Sequence, residues 1–124
     1  MHGVGVDAIE IERLRVALGR TPGLASRLYT ERERAACTSR CGDPKVGGLA
    51  ARFAAKEAVA KALGTGLRGF AFRDIEVGND ELGKPLVALR GPAALVAEQL
   101  GVTRVHLSLS TSHELAVAYA VAER

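Results

Sequence analysis

Residues 47–66 form the longest periodic stretch of the chain, in which small apolar residues are interrupted by a few charged ones. Ala, Leu, Lys and Glu dominate this stretch, and all four are strong helix formers. Leu49, Phe53 and Leu63 fall near one stripe at the helical repeat. Gly64 follows where a C-cap glycine is expected. The pattern therefore predicts one long helix that ends at a glycine turn.

Strand and shorter helix patterns surround this helix. Alternating positions predict strands at 2–7, 72–77, 85–89, 102–110 and 115–122. The last strand is apolar on both faces, which predicts a place inside a sheet. The polar turn at 79–84 predicts a hairpin.

Further helices are predicted at 8–19, 24–29, 93–100 and from Thr30 to about residue 40, where Thr30 and Glu33 match a capping box. We expect three or four helices and about five strands. The prediction is a single α+β domain over residues 1–124, with mostly antiparallel neighbours.

Composition limits the partners that the chain can bind. Hydrophobic residues make up 48% of the 124 residues but aromatic residues only 4%, so small side chains must build the core, which slightly favours an oligomer. A net charge of +3 suits an anionic partner. Few aromatic residues and no dense Lys/Arg run argue against nucleic acid. Acidic proteins and phosphorylated small molecules remain equally good candidates.

Cysteine use and hydropathy indicate a cytoplasmic protein. Cys37 and Cys41 have no local His or further Cys for a zinc site. Two free thiols are therefore expected, and a disulfide between the two cysteines is the alternative. Acidic residues from Asp7 onward come too early for a signal peptide. The apolar run at 115–122 is too short to span a membrane.

Two carboxylates and a lysine are candidates for phosphoryl chemistry. Asp7 and Glu57 are predicted at element ends and would suit Mg²⁺, which takes one or two protein carboxylates beside water and substrate phosphates. Lys61 lies one helical turn beyond Glu57 and would stabilise charge on a leaving phosphate. The alternative is an ordinary surface ion pair between Glu57 and Lys61.

Other patterns carry weaker hypotheses. Residues 64–69 fit G-x-G-x-x-G, but a dinucleotide fingerprint needs a strand before it and a helix after it, the reverse of the order here. His106, Ser108 and Ser110 share one strand face, yet that spacing does not aim a histidine at a serine, and no elbow motif is present.

Three arginines stand out on the first predicted helix. This basic face predicts either a solvated surface or a docking surface for an acidic partner, and it consists of Arg13, Arg15 and Arg20.

Taken together, these motifs resemble the bacterial holo-acyl-carrier-protein synthases. Residues 3–7 resemble the G-x-G-x-D opening of that family, and 52–66 resemble its signature F-x-x-K-E-A-x-x-K-A-x-G. Residues 74–77 and 79–85 are similar to its hairpin with a G-K-P turn, and 105–110 to its final strand. The family usually reads S-x-[ST]-H-T at the end of that strand.

This chain departs from the family at that point. Thr111 follows Ser110, and a histidine comes only at His113. The family histidine helps to line the coenzyme A site. Its role is not carried onto Thr111, and whether His113 reaches the same space stays open.

The resemblance implies a fold and an activity. The implied fold is an antiparallel sheet packed with a long central helix, assembled as a homotrimer with each active site at a subunit interface. The implied activity is Mg²⁺-dependent transfer of 4′-phosphopantetheine from coenzyme A to a serine of apo-acyl carrier protein, for fatty acid biosynthesis. A non-catalytic trimeric module that binds nucleotides or acidic proteins is the alternative.

The resemblance also implies residue roles. Asp7 and Glu57 would hold Mg²⁺, Glu57 would accept the serine proton directly or through water, and Lys61 would contact the phosphates. Coenzyme A would lie beside Arg52, Lys61, Gly64, Thr65, Gly66, Gly83, Lys84 and Pro85, with Arg40 or Lys45 at its 3′-phosphate. The acidic carrier protein would dock on Arg13, Arg15 and Arg20.

Overall fold

One long helix lies across a small antiparallel sheet in a computed structural model that describes all residues 1–124. The helices are α1 (Ile11–Arg20), α2 (Leu24–Leu28), α3 (Glu31–Ala36), α4 (Val46–Leu63) and α5 (Gly91–Leu100), with a 3₁₀ turn at Phe72–Asp74. The strands are β1 (Gly3–Glu10), β2 (Ile75–Asn79), β3 (Pro85–Leu89), β4 (Arg104–Thr111) and β5 (Leu115–Glu123).

The sheet topology confirms the predicted α+β class. β5 lies between β1 and β4, so the strand predicted to be interior is the central one, and all pairings are antiparallel. β2 and β3 form the separate predicted hairpin. The long helix and its C-cap are also confirmed, with Gly64 in the left-handed region at φ +86°. None of the helices combines the length and apolarity that crossing a bilayer requires.

Some predicted boundaries are wrong. The first strand continues to Glu10 because Ala8, Ile9 and Glu10 pair with β5, so α1 begins only at Ile11. Phe72–Asp74 is a 3₁₀ turn, and the next strand starts after it. The capping box of α3 is confirmed, but that helix ends at Ala36. Five α-helices are present because each short helical pattern forms its own helix.

Very small residues bring α4 against the sheet. The inner face of β5 consists of fully buried alanines: Ala116, Ala118, Ala120 and Ala122. On β1, a Cβ atom at Gly5 would overlap the carbonyl oxygen of Ala58 and would stand 2.9 Å from Lys61 Cβ. A Cβ atom at Gly3 would likewise overlap the carbonyl oxygen of Ala62. The backbones of β1 and α4 therefore touch, which brings the end of the G-x-G-x-D motif beside α4.

A buried ion pair fixes the other side of α4. Lys56 Nζ donates to Glu33 Oε1 at 2.7 Å, and both side chains are completely buried. The ammonium also donates to the carbonyls of Phe72 (2.9 Å) and Ile75 (2.5 Å), and Glu33 Oε2 accepts from Val77 N (2.8 Å). Burial lowers the pKa of Lys56, and Glu33 opposes that shift. α3, α4 and the hairpin are thereby tied together.

The outer face of β1 and β5 is apolar and exposed. Val4, Val6 and Tyr119 are 47%, 54% and 48% exposed. Val6 pairs with Tyr119, and Val4 with Val121, so these side chains share one face. No element of the chain covers that face.

Candidate active site

A cavity of about 570 Å³ lies between β1, α1, α2 and α4. One part of its wall is charged and consists of Asp7, Glu57, Lys61 and Arg13, with Glu10 beside them. The other part is apolar and is made by Ile9, Leu14, Ala17, Leu24, Leu28, Phe53 and Leu115. The structure thus brings the three predicted catalytic side chains together on one chain, next to an apolar recess.

Lys61 reaches back to β1. Its Nζ lies 3.2 Å from Asp7 Oδ1 and 3.1 Å from the carbonyl oxygen of Val6. The close approach at Gly5 permits this contact, because it holds the stem of Lys61 against the strand. The salt bridge of Lys61 is to Asp7, so the alternative of a simple Glu57–Lys61 surface pair is wrong.

Glu57 is half-buried, and its pKa is raised. Burial is the main cause, the neighbouring Asp7 charge adds to it, and Lys61 opposes it. Two carboxylates that repel each other in a shared cavity are a donor set for a hard divalent cation.

The residues present fit Mg²⁺ rather than a metal held by protein ligands alone. The structure contains no cluster of three or more His, Cys, Asp or Glu side chains suited to a metal. A cation at Asp7 and Glu57 would need further ligands from water and substrate, which is the usual arrangement for Mg²⁺.

Arg52 lies between the start of α4 and the hairpin. Its guanidinium donates to Asn79 Oδ1 and to the carbonyl of Gly48, each at 3.4 Å, and its buried Nε has no partner. Asn79 in turn donates to the carbonyl of Gly83 at 3.0 Å. Arg52 therefore points towards the G-K-P turn and does not line the cavity of Asp7 and Glu57.

The other predicted nucleotide contacts divide between two places. Gly64, Thr65 and Gly66 form the turn directly after Lys61, at the end of α4. Lys84 and Pro85 instead line a second cavity, of about 700 Å³, between β3, α5 and β4. The structure does not bring them to Asp7 and Glu57 within one chain.

Arg40 and Lys45 lie in the segment between α3 and α4. Both are exposed, and Lys45 is the N-cap residue of α4. Neither residue lines the cavity of Asp7 and Glu57.

The three arginines of α1 differ in their surroundings. Arg13 is exposed and lines the cavity. Arg15 forms an ion pair with Glu12 on the same helix. Arg20 is exposed in the last turn. Of the three, Arg13 alone borders the cavity that holds Asp7 and Glu57.

The geometry gives no support to serine hydrolase chemistry by His106 with Ser108 or Ser110. His106 Nε2 lies 3.0 Å from Glu123 Oε2, and its hydrogen bond is to that carboxylate rather than to a serine. Thr111 ends β4, and His113 is exposed in the following turn. Neither Thr111 nor His113 lines either of the two cavities.

Two features of the site were not predicted from the sequence. The apolar recess depends on α1 and α2, whose Leu14, Leu24 and Leu28 were not assigned to the site. Glu33 was assigned only to a capping box, although it also holds Lys56. No local sequence signal gave this second role, because Lys56 is 23 residues away from Glu33.

Comparison with known proteins gives one consistent result. Residues 3–120 match the model of the 4′-phosphopantetheinyl transferase superfamily. The holo-[acyl-carrier-protein] synthase of Clostridium novyi is 49% identical over 121 residues, which cover 98% of this chain and 86% of the relative.

Solved structures agree in fold. The holo-[acyl-carrier-protein] synthase of Neisseria meningitidis superposes with a TM-score of 0.86 at 39% identity, covering 100% of this chain and 99% of that one. A Bacillus anthracis holo-(acyl-carrier-protein) synthase in complex with CoA (3′,5′-ADP) has a TM-score of 0.78 at 38% identity, covering 98% and 95%.

Proposed function

Because the chain belongs to the 4′-phosphopantetheinyl transferase superfamily, among the holo-[acyl-carrier-protein] synthases, we propose that it modifies apo-acyl carrier protein in fatty acid biosynthesis. It transfers 4′-phosphopantetheine from coenzyme A to a carrier serine in the cytoplasm and releases adenosine 3′,5′-bisphosphate. The observation that carries this proposal is the cavity that joins Asp7, Glu57 and Lys61 beside Arg13.

The reaction is a phosphoryl transfer at a pyrophosphate. The serine oxygen forms a bond to the phosphorus that carries pantetheine, and the bridge to the nucleotide phosphate breaks. Such reactions depend on positioning and on neutralisation of charge. Mg²⁺, held by Asp7 and Glu57, would supply that neutralisation at the pyrophosphate.

Glu57 is the base for the serine proton, directly or through a bound water. Its half-buried carboxylate lies in the wall of the cavity, within the space that the serine would enter. Lys61 supplies positive charge to the leaving phosphate. Its exposed ammonium, with a side chain 53% accessible, is free to leave Asp7 and meet a bound phosphate.

The nucleotide contacts come from two subunits of a homotrimer. Arg52 and the turn at Gly64–Gly66 lie on the chain that holds Glu57, whereas Gly83, Lys84 and Pro85 are contributed by a neighbour. Two observations support this arrangement: Lys84 and Pro85 line a different cavity from Glu57, and the apolar outer face of β1 and β5 is uncovered in a single chain. Arg40 or Lys45 pairs with the 3′-phosphate.

The carrier protein docks on α1. Arg13, Arg15 and Arg20 attract the acidic carrier, and steering by charge makes association sensitive to salt. The apolar recess beside Arg13 receives apolar side chains of the carrier, which places the modified serine near Glu57.

Mass spectrometry of apo-acyl carrier protein tests the proposal. The carrier is incubated with this protein, coenzyme A and Mg²⁺, and parallel reactions omit one component. A gain of one phosphopantetheine mass only in the complete reaction is expected. An unmodified carrier in the complete reaction would refute the activity.

A further inference from the structure

The ammonium of Lys61 forms an ion pair with Asp7, one of the two carboxylates that are proposed to bind the metal. Lys61 Nζ donates to Asp7 Oδ1 at 3.2 Å and to the Val6 carbonyl at 3.1 Å. Asp7 is mostly shielded, with 19% of its side chain exposed, whereas the Lys61 side chain is 53% exposed. An ion pair with one exposed partner is weakly held and exchanges readily.

Lys61 and a divalent cation compete for the same carboxylate. An ammonium at hydrogen-bond distance from Asp7 and a dication bound to that carboxylate would repel each other strongly at such short range. No other cationic side chain forms a salt bridge with Asp7. Lys61 must therefore withdraw when a metal ion binds there.

The charges in the cavity show what draws Lys61 away. Asp7, Glu57 and Glu10 carry three negative charges in the cavity, against the two positive charges of Lys61 and Arg13. A divalent ion alone would make the group positive, and Lys61 would then have to leave for solvent and lose its ion pair without gaining an anionic partner. A pyrophosphate that arrives with the metal gives the ammonium a new anionic partner, so the exchange becomes favourable.

We propose that the ion pair of Lys61 with Asp7 weakens metal binding at Asp7 until coenzyme A binds. The pyrophosphate of coenzyme A then draws the Lys61 ammonium away from Asp7. This inference rests on the proposed function, because it takes Asp7 and Glu57 as metal ligands. Metal and coenzyme A then bind cooperatively, and each tightens the other by the same factor.

The geometry of α4 and β1 suits such an exchange. The stem of Lys61 is held at the strand, since a Cβ atom at Gly5 would stand 2.9 Å from Lys61 Cβ. Its exposed end rotates about this fixed base. Movement of the ammonium therefore needs no movement of the helix or the strand.

Titration with Mn²⁺, a paramagnetic substitute for Mg²⁺, tests the proposal without any turnover. The EPR signal of free Mn²⁺ gives its affinity with and without coenzyme A, in the absence of carrier protein. The proteins compared are wild type, Lys61→Met, and Arg73→Met as the control. Arg73 is exposed in the 3₁₀ turn and lies outside the cavity, so its substitution removes the same charge from the chain without touching Asp7.

Without coenzyme A, Lys61→Met should bind Mn²⁺ about tenfold more tightly than wild type, because a repelling charge is gone. Arg73→Met should match wild type. Coenzyme A should tighten Mn²⁺ binding less in Lys61→Met than in wild type. Equal or weaker Mn²⁺ binding by Lys61→Met without coenzyme A would overturn the proposal.

Asp7→Asn separates this inference from the metal site itself. If Asp7→Asn loses Mn²⁺ binding while Lys61→Met matches wild type, the metal site stands and the role of Lys61 is overturned. If Asp7→Asn binds Mn²⁺ like wild type, both the metal assignment and this inference fail. The transfer activity is measured independently by the mass of the carrier protein.

Discussion

Gly5 of β1 lies so close to Ala58 of α4 that a Cβ atom at Gly5 would overlap the Ala58 carbonyl oxygen. This contact sets the distance between strand and helix. It allows Lys61 on α4 to reach Asp7, two residues beyond Gly5 on the same strand face. The glycine of the G-x-G-x-D motif thus serves the geometry of the site as well as the packing of the core.

Gly5→Ala should destabilise the protein by about 2–3 kcal/mol, because the added methyl group forces α4 and β1 apart. Urea unfolding gives the free energy. Gly78→Ala is the matched control, since it is also a strand glycine but a Cβ atom there meets nothing within 4 Å. Equal stability of the two variants would show that α4 and β1 can separate without cost.

Lys56→Met should destabilise the protein by about 3–5 kcal/mol, because it leaves the Glu33 carboxylate buried without a counter-charge. The double variant Lys56→Met/Glu33→Gln removes both charges and keeps an acceptor for Val77 N. Its destabilisation should be smaller than the sum of the single changes. Additive effects in urea unfolding would contradict a coupled buried pair.

Much of the fold follows from local patterns. The 3.6-residue repeat and Gly64 predict α4, alternation predicts β4, and a short run that is apolar on both faces predicts β5. The end of β1 could not be predicted, because Ala8, Ile9 and Glu10 become strand only through pairing with β5.

Partners within the site depend on contacts between distant parts of the chain. The partner of Lys61 is 54 residues away, and that of Lys56 is 23 residues away. Local spacing instead placed Lys61 with Glu57, one helical turn before it. Residue types therefore predicted the candidate site, and the packing of α4 on β1 decided which charges meet.

Arg13→Glu should raise the KM for the carrier protein about tenfold and leave the KM for coenzyme A nearly unchanged, because Arg13 borders the recess on α1. Steady-state kinetics with each substrate varied in turn measures both constants. Arg73→Glu, which makes the same charge change elsewhere, should leave both values as in wild type. Equal effects of Arg13→Glu on the two constants would argue against docking on α1.

Mixing of variant protomers in the proposed homotrimer tests whether two subunits build each site. Glu57→Gln and Lys84→Glu protomers are each expected to be inactive, but mixing them should restore activity at sites that combine an intact Glu57 with an intact Lys84. Asp7→Asn mixed with Glu57→Gln should stay inactive, because both residues line one cavity of one chain. Failure of the first mixture to recover any transfer would contradict the shared site.

The rate of phosphopantetheine transfer by Glu57→Gln tests the central claim most directly. The amide keeps the shape of Glu57 but neither accepts a proton as a base nor supplies a charged metal ligand. Glu31→Gln, an exposed change on α3, is the control. The carrier mass followed over time should show a loss of about 10²-fold or more for Glu57→Gln and a normal rate for Glu31→Gln. A folded Glu57→Gln variant that transfers at nearly the wild-type rate would contradict the account.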